Sequence, residues 1–483
     1  VLSRFQPTFF LALAAHAGGT PTVTAALVAL AFLPYVGLLL FEPGPRADLR
    51  TALLLAAASG LVLVVAPSVL SDDVYRYLWD ARVLLSGVDP YAYPPDAPAL
   101  AGLRDDAWAR INHRHIPTIY PPAAQGLFAL AVALWSSVTA LKALALGLHL
   151  ATVALLPRVV SAHGGDGVAA IRAVYLLALN PLALTESALG GHVDVAVGLC
   201  ALMLGYALLR RRQRAAAGLI ALASGLKLVG IVLAPLLLRG RAAWAALALL
   251  LSLGCVWPLA HAGSADAAAS SGVGHYAQRW RGNEGLYGLV EDGCRALVDA
   301  LAADGADRSE GVGSAEIELE LLAPVLARLQ GTPFDPGGSL RGERKQRRPA
   351  SVLDRAHLAG LLARSLVAAF VFGLSLWLGL RGRDPLMSLR AVLLAVLLLS
   401  PQLHPWYLLW LLPVELALGR RVLLVWSAVA LVAYAPLDGW LSARQWQEPA
   451  VARPLQFGLV LAALVLERWQ RARGPVVPAD SAR

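Results

Sequence analysis

The chain has 483 residues, 58% of them hydrophobic and only 15% charged, with a formal net charge of +9. A soluble domain carries about 25% charged residues, so this deficit and a mean hydropathy of +0.61 exclude an ordinary soluble enzyme. The basic excess is read as cytoplasmic Arg clusters beside anionic lipid, with no nucleic-acid partner.

The apolar runs at 51–70, 195–209, 242–260 and 361–380 alternate with short basic clusters. A helix needs about 20 apolar residues to cross the hydrocarbon core. Continuous Leu- and Ala-rich runs are helical and lack the two-residue alternation of a barrel strand. Three cysteines, Cys200, Cys255 and Cys294, are too few and too scattered for a disulfide framework or a zinc site, so no metal or cofactor is expected. The first residues lack the ordered parts of a cleavable signal.

Arg and Lys in short loops mark the cytoplasmic side. Placing Arg46/Arg50, Arg158/Arg172, the arginines of 210–214, Arg239/Arg241, Arg381/Arg383, Arg420/Arg421 and those of 468–473 there fixes the path. Residues 7–41 hold one full span and a shorter one. Residues 51–70 run outward, 71–120 lie outside, and 122–138 enter and leave on that same side. Residues 141–157 return inward. A hairpin of 171–188 and 190–209 follows, with Gly190-Gly191 near the outer face. Residues 216–238 begin and end inside and are interrupted at Ser224-Gly225-Leu226-Lys227. Such half-spanning segments need protein or a water-filled cavity around them.

Residues 243–261 lead out to a long loop at 262–356, after which 359–380, 387–401, 406–418, 422–436 and 455–470 alternate. The total is about 11–13 spans. In that loop, 304–314 is polar and Gly-rich and reads as a flexible insertion. Ile317, Leu321, Leu322, Val325 and Leu329 give 316–329 a helical repeat. The segments expected are an N-terminal transmembrane module (1–261) carrying the outside loop 71–121 and its catalytic candidates, the long loop 262–356, C-terminal helices (357–474) and a cytoplasmic tail (475–483). No internal repeat is visible, which weighs against an inverted-repeat transporter.

The chemistry-bearing residues gather on the outer side of this path. The first outside segment reads Ser71-Asp72-Asp73-Val74-Tyr75-Arg76-Tyr77-Leu78-Trp79-Asp80. In the structural reading, Ser71 caps the next helix and Asp72 and Asp73 favour its positive end. In the catalytic reading, Asp73, Tyr77 and Asp80 share one helix face, while Asp72, Arg76 and Trp79 lean toward another. One carboxylate then pairs with Arg76 and the other is left as a general base. Tyr91, Tyr93 and Tyr120 fit an interfacial aromatic belt.

Gly190-Gly191-His192-Val193-Asp194 places two titratable groups at a hairpin apex, where they are costly in an apolar run. His404 lies between prolines in Ser400-Pro401-Gln402-Leu403-His404-Pro405-Trp406-Tyr407. Arg279, Arg281 and Asn283 begin the long loop, and the two arginines suit a phosphate. Lys227 either snorkels to the inner interface or meets a phosphate in a deep cavity.

The segment 71–91, the Thr118-Ile119-Tyr120-Pro121-Pro122 turn, the Asn180-Pro181 to His192-Val193-Asp194 hairpin, the Gly225-Leu226-Lys227 break and Gln402-Leu403-His404-Pro405-Trp406-Tyr407 occur in one order. That order resembles the GT-C-fold glycosyltransferases, especially bacterial polyprenol-phosphate-mannose-dependent α-mannosyltransferases and their relatives in glycosyltransferase family 87. The resemblance covers nearly the whole chain except the N-terminus and the insertion near 300–350.

It implies an all-α polytopic protein with re-entrant segments and large outside loops, placed in a bacterial plasma membrane with its site on the extracytoplasmic side. It also implies a hexose, most simply mannose, moved with inversion from a polyprenyl-phosphate donor to a lipid or glycan hydroxyl. An Asp in the first outside loop is then the base. Asp73 matches that position best, with Asp72 adjacent. Arg76, Tyr77, His192, Asp194, Lys227, Arg279, Arg281, Asn283 and His404 are the substrate-side candidates. No Gly-rich phosphate loop of a nucleotide-sugar enzyme is present. The competing class is a transporter or flippase of a lipid-linked saccharide, which would place polar groups at mid-membrane depth.

Overall fold

A computed structural model of the chain describes residues 20–40, 43–44, 46–261, 272, 281–305, 316–318, 352–443 and 445–472. These residues are helical apart from turns and one pair of three-residue strands, the all-α arrangement expected of a polytopic membrane protein. Among the described residues, four helices are long and apolar enough to cross a bilayer: Pro21–Leu40, Val138–Ala162, Arg355–Arg381 and the jointed Val422–Ala443. Gly167–Ala178 and Pro181–Leu189 add a fifth candidate, bent by 51°. That bend falls at Asn180, where Pro181 removes a backbone donor; the Asn180 side chain caps the new start by accepting from Ala183 N–H.

Shorter apolar helices are Leu49–Val65, Pro122–Leu134, Asp194–Leu209, Leu228–Arg239, Ala242–Trp257 and Pro385–Leu398. Both stretches that could not alternate as full spans are short or broken, as their sequence suggests. Pro122–Leu134 has 13 residues, and Gln213–Leu226 stops at an extended Lys227 before a 3-10 helix, Leu228–Arg239.

Packing divides the chain into two units, residues 1–74, 138–210 and 404–483 in one and 75–137 and 211–403 in the other. They are interleaved along the chain and cut across the sequential segments 1–261, 262–356 and 357–474. In the first unit, Val138–Ala162 packs against Leu49–Val65, Gly167–Ala178 and Asp194–Leu209. At Gly198 a Cβ would stand 2.2 Å from the Leu409 carbonyl oxygen; the bare glycine lets the backbones touch, as small residues do between membrane helices.

In the second unit, Leu286–Gly305 packs on Arg355–Arg381 around Tyr287, Cys294, Val298, Ala302, Ala359 and Ala363. The long 262–356 stretch is therefore partly built of ordered helix.

Two expectations change. The helical repeat proposed from Glu316 does not start there: Glu316–Glu318 is a strand, antiparallel to Val352–Asp354. Charged residues alternate with Ile317 there, a two-residue period that a strand partner can use; residues 319–329 lie outside the described set. The stretch 406–418, expected as a span, is a 3-10 turn Pro405–Trp410 and then a short helix Leu412–Ala417. Pro405 and Pro413 deny the backbone donors that a continuous helix needs.

Candidate functional site

In the first unit, Asp73, Glu186 and Trp406 surround one imidazole. After Pro181–Leu184 the helix loosens into a π turn at Thr185–Leu189, a distortion common at functional sites. The chain then reverses sharply: Gly190 N–H donates to the Thr185 carbonyl at 2.9 Å and His192 N–H to the Glu186 carbonyl at 3.0 Å. Gly191 adopts φ +70°, and a Cβ there would stand 3.1 Å from Lys142 Cγ and 3.2 Å from Val74 Cγ2. Only glycine combines that conformation with that lack of space. A Cβ at Gly190 would come within 2.5 Å of His192 Cδ2, so the turn closes directly over the histidine ring.

His192 is fully buried, with Nδ1 3.9 Å from Asp73 Oδ2 and Nε2 3.4 Å from Glu186 Oε2. Its ring stacks on Trp406 at 3.9 Å, and His404 stacks on the same indole at 4.2 Å. Glu186 is held from behind by the Tyr434 hydroxyl, which donates to Oε1 at 2.5 Å. Asp73 is a quarter exposed and opens the helix Asp73–Leu85. Its N–H donates to Ser71 Oγ at 3.2 Å, the bond that the capping reading of Ser71 expects. Asp194 is buried and accepts from Trp410 Nε1 at 2.7 Å; it orders the turn and does not line an open surface.

Lys142, also buried, donates to the Ala66 carbonyl at 2.5 Å. That carbonyl follows the C-terminus of Leu49–Val65, where the helix favours a cation.

The second unit holds the other candidates. Arg76 Nε donates to Asp80 Oδ1 at 2.8 Å, and Asp80 Oδ2 accepts from Thr118 Oγ1 at 2.5 Å and Gln125 Nε2 at 3.3 Å. Arg76 thus pairs with the carboxylate one helical turn on, where the sequence offered it Asp72 or Asp73. The i,i+4 spacing serves that bond. Tyr77 is buried, stacked on Phe128 at 4.3 Å and edge-on to Tyr120 at 4.9 Å. It is core in this unit, where the sequence offered it as a substrate contact. Tyr91 donates from its hydroxyl to the Tyr120 carbonyl at 2.8 Å, and burial pushes its phenol well above the ordinary range. Of the aromatic belt read from sequence, Tyr91 and Tyr120 form a buried clasp, while Tyr93 is exposed.

Arg281 meets Glu284 through two nitrogens and Glu291 through a third at 2.7 Å. Burial opposes that charge, but Glu284 and then Glu291 outweigh it and raise the guanidinium above its ordinary value. Asn283, at φ +47°, donates from its side chain to the Leu403 carbonyl at 3.1 Å. Lys227 sits half-buried at the break between two helices. Arg279 lies outside the described residues. Among those described, no group of three or more His, Cys, Asp and Glu could hold a metal ion.

Asp73, His192 and His404 are therefore brought together in one unit. Arg76, Tyr77, Lys227, Arg281 and Asn283 belong to separate clusters of the other. Sequence reasoning missed Glu186, Tyr434 and Lys142. The signal was present for the two ionisable ones: each interrupts an apolar run, the same observation that singled out Lys227.

Residues 4–245, half of the chain, match the family described as alpha-(1->6)-mannopyranosyltransferase, N-terminal domain. Residues 350–467 match the MptB C-terminal domain. No curated protein and no solved structure matches.

Proposed function

The chain belongs to the alpha-(1->6)-mannopyranosyltransferase family and carries several helices long and apolar enough to cross a membrane, and from that premise we propose a polyprenyl-phosphate mannose donor, a GT-C-type site on the extracytoplasmic face of a bacterial inner membrane, and Asp73 as the general base. The acceptor is the primary 6-hydroxyl of an α-mannoside on a lipid or glycan, the position that the family's name implies. An α product formed with inversion requires a β-linked donor.

One observation carries the assignment of the base: Asp73 is the carboxylate that faces His192, 3.9 Å from Nδ1, while remaining a quarter exposed. A base must be reachable by substrate and held in orientation by its neighbours. Asp72, its sequence neighbour, then serves the helix terminus.

The reaction is a single displacement. Asp73 takes the proton of the 6-hydroxyl as its oxygen attacks the anomeric carbon on the face opposite the phosphate. The bond from that carbon to the phosphate oxygen breaks, and its electron pair leaves with the lipid phosphate. Phosphate is a good leaving group, so the need is for positive charge and hydrogen-bond donors more than for a strong acid. His404, stacked on Trp406, is assigned to it. Arg281 is already matched by Glu284 and Glu291, so its expected part is to hold that loop. His192 and Asp194 order the site.

The test is transfer from radiolabelled polyprenyl-phosphate-mannose to a short α-mannoside by the purified protein in nanodiscs. Wild type and Asp72→Asn are expected to transfer and Asp73→Asn to be inactive with its fold retained. Activity in Asp73→Asn would reject the base. A wild type that leaves this donor intact but uses another would reject the donor.

A further inference from the structure

Between the helix Leu49–Val65 and Asp73 the chain runs through 66–72 without regular secondary structure. Pro67 dictates this, because it holds the residue before it extended, and Ala66 has ψ 151°. Irregular backbone in an apolar protein needs other groups to satisfy it. Two side chains do so here. Lys142 donates from Nζ to the Ala66 carbonyl at 2.5 Å, and Ser68 donates from Oγ to the Leu189 carbonyl at 2.7 Å. Leu189 ends the π turn, so the second bond reaches the reversal that carries His192.

Lys142 serves both sides of this junction. Its tip holds Ala66 while its stem packs on the reversal: a Cβ at Gly191 would stand 3.1 Å from Lys142 Cγ. Val74, next to Asp73, closes on the same glycine, with Cγ2 3.2 Å from that Cβ position. Segment 66–74 is thus pinned to Leu189–Gly191 at Ala66, at Ser68 and at Val74, and Asp73 lies between the last two. The lysine is 1% exposed and, among the described residues, forms no ion pair with a carboxylate. A methionine would fill the same space without the cost of enclosing an amine in an apolar run. What the amine adds is a donor for one carbonyl 76 positions away.

Resting on the reading of Asp73 as base, we propose that Lys142 is a positioning residue. With Ser68 it straps the irregular segment 66–72 to the Leu189–Gly191 turn, and so fixes where the Asp73 carboxylate meets the acceptor hydroxyl. Lys142 touches no substrate and takes no proton in this role. A base must stand within hydrogen-bond reach of the proton it removes, and a misplacement of about 1 Å can cost about 100-fold in rate. An irregular segment has no ladder of its own to hold such a position. The strap supplies it from two neighbouring elements.

The experiment compares full-length wild type, Lys142→Met, Ser68→Ala, Ser68→Thr and Asp73→Asn in nanodiscs, with polyprenyl-phosphate-mannose and an α-mannoside as probes. Lys142→Met is expected to lower kcat about tenfold or more, with the acceptor KM changed by less than about twofold. Ser68→Ala is expected to lower kcat about threefold with KM again unchanged. Ser68→Thr keeps the hydroxyl and should restore it. A folded Lys142→Met with wild-type kcat overturns the inference, even if its thermal midpoint falls, because the lysine then serves stability alone. A raised acceptor KM at unchanged kcat also overturns it, since that would make Lys142 a substrate contact.

If Lys142→Met does not fold, Ser68→Ala decides. A lowered kcat that Ser68→Thr restores supports the strap; a wild-type kcat, or a fall that Ser68→Thr leaves uncorrected, overturns it. Asp73→Asn separates the two failures. An active Asp73→Asn rejects the underlying reading. An inactive Asp73→Asn beside a normal Lys142→Met rejects the strap alone.

Discussion

Asp73 and Asp80 lie seven residues apart in one helix, Asp73–Leu85, and meet opposite fates. Asp80 is 2% exposed and is bonded by a guanidinium, a hydroxyl and an amide, all fixed in length and direction. Asp73, at the helix start, keeps a quarter of its surface open and looks onto an imidazole that a second carboxylate and an indole hold in place. A carboxylate whose lone pairs are all used by rigid donors is an anchor. One that keeps access and faces a group able to accept or give a proton can do chemistry. Side-chain type, spacing and helix face are nearly the same for the two, and the partners alone separate them.

That contrast can be broken from either end. The largest effect is expected at Asp73. Asp73→Asn should lower transfer by about 100-fold or more with the thermal midpoint in detergent unchanged, measured by radiolabel transfer and by unfolding of the purified protein. A loss of stability comparable to that of an Asp80 variant would erase the distinction. Asp80→Ala leaves Arg76 buried without its carboxylate, and breaking such a pair costs about 3–5 kcal/mol. Its midpoint should fall steeply, and the protein that stays folded should keep its acceptor KM.

A smaller effect is expected from His192→Phe, which keeps a ring on Trp406 but removes both nitrogens. We expect kcat to drop about tenfold, or about 1.4 kcal/mol of transition-state stabilisation, with the donor KM little changed. A KM effect in place of a kcat effect would make His192 a substrate contact. The smallest effect is expected at Tyr91→Phe. It removes the hydroxyl that donates to the Tyr120 carbonyl and should cost about 1 kcal/mol of stability while transfer stays at the wild-type level. A loss of activity there would give Tyr91 a part in the reaction beyond holding the Tyr120 carbonyl.

The glycines add a lesson of the same kind. Gly190-Gly191 was legible as a hairpin apex from its place between two apolar runs. The sequence could not say that the second glycine takes φ +70° beneath Lys142, nor that the first leaves room for an imidazole. The Arg281 cluster runs the other way. A loop arginine looked free for a phosphate, and the fold supplies it with Glu284 and Glu291 from the next turns. Neither carboxylate could be paired with it from spacing alone, because 281–285 is not helical and the bond depends on how the loop enters Leu286–Gly305.

By itself the sequence determined the membrane class, the approximate places of the apolar helices, the turn at Pro121-Pro122, the break at Lys227, and the chemical identity of the base candidates. These follow from local rules: hydrophobic length against bilayer thickness, the missing donor of proline, and the cost of a charge in an apolar run. Tertiary structure alone decided that Asp73, His192 and Glu186 share one imidazole, that Asp194 binds Trp410, and that Arg76 belongs to Asp80. Tyr434 and Glu186 are separated by 248 positions. No periodicity spans such a distance; only packing brings those groups together, because buried polar atoms must find their partners wherever the fold places them.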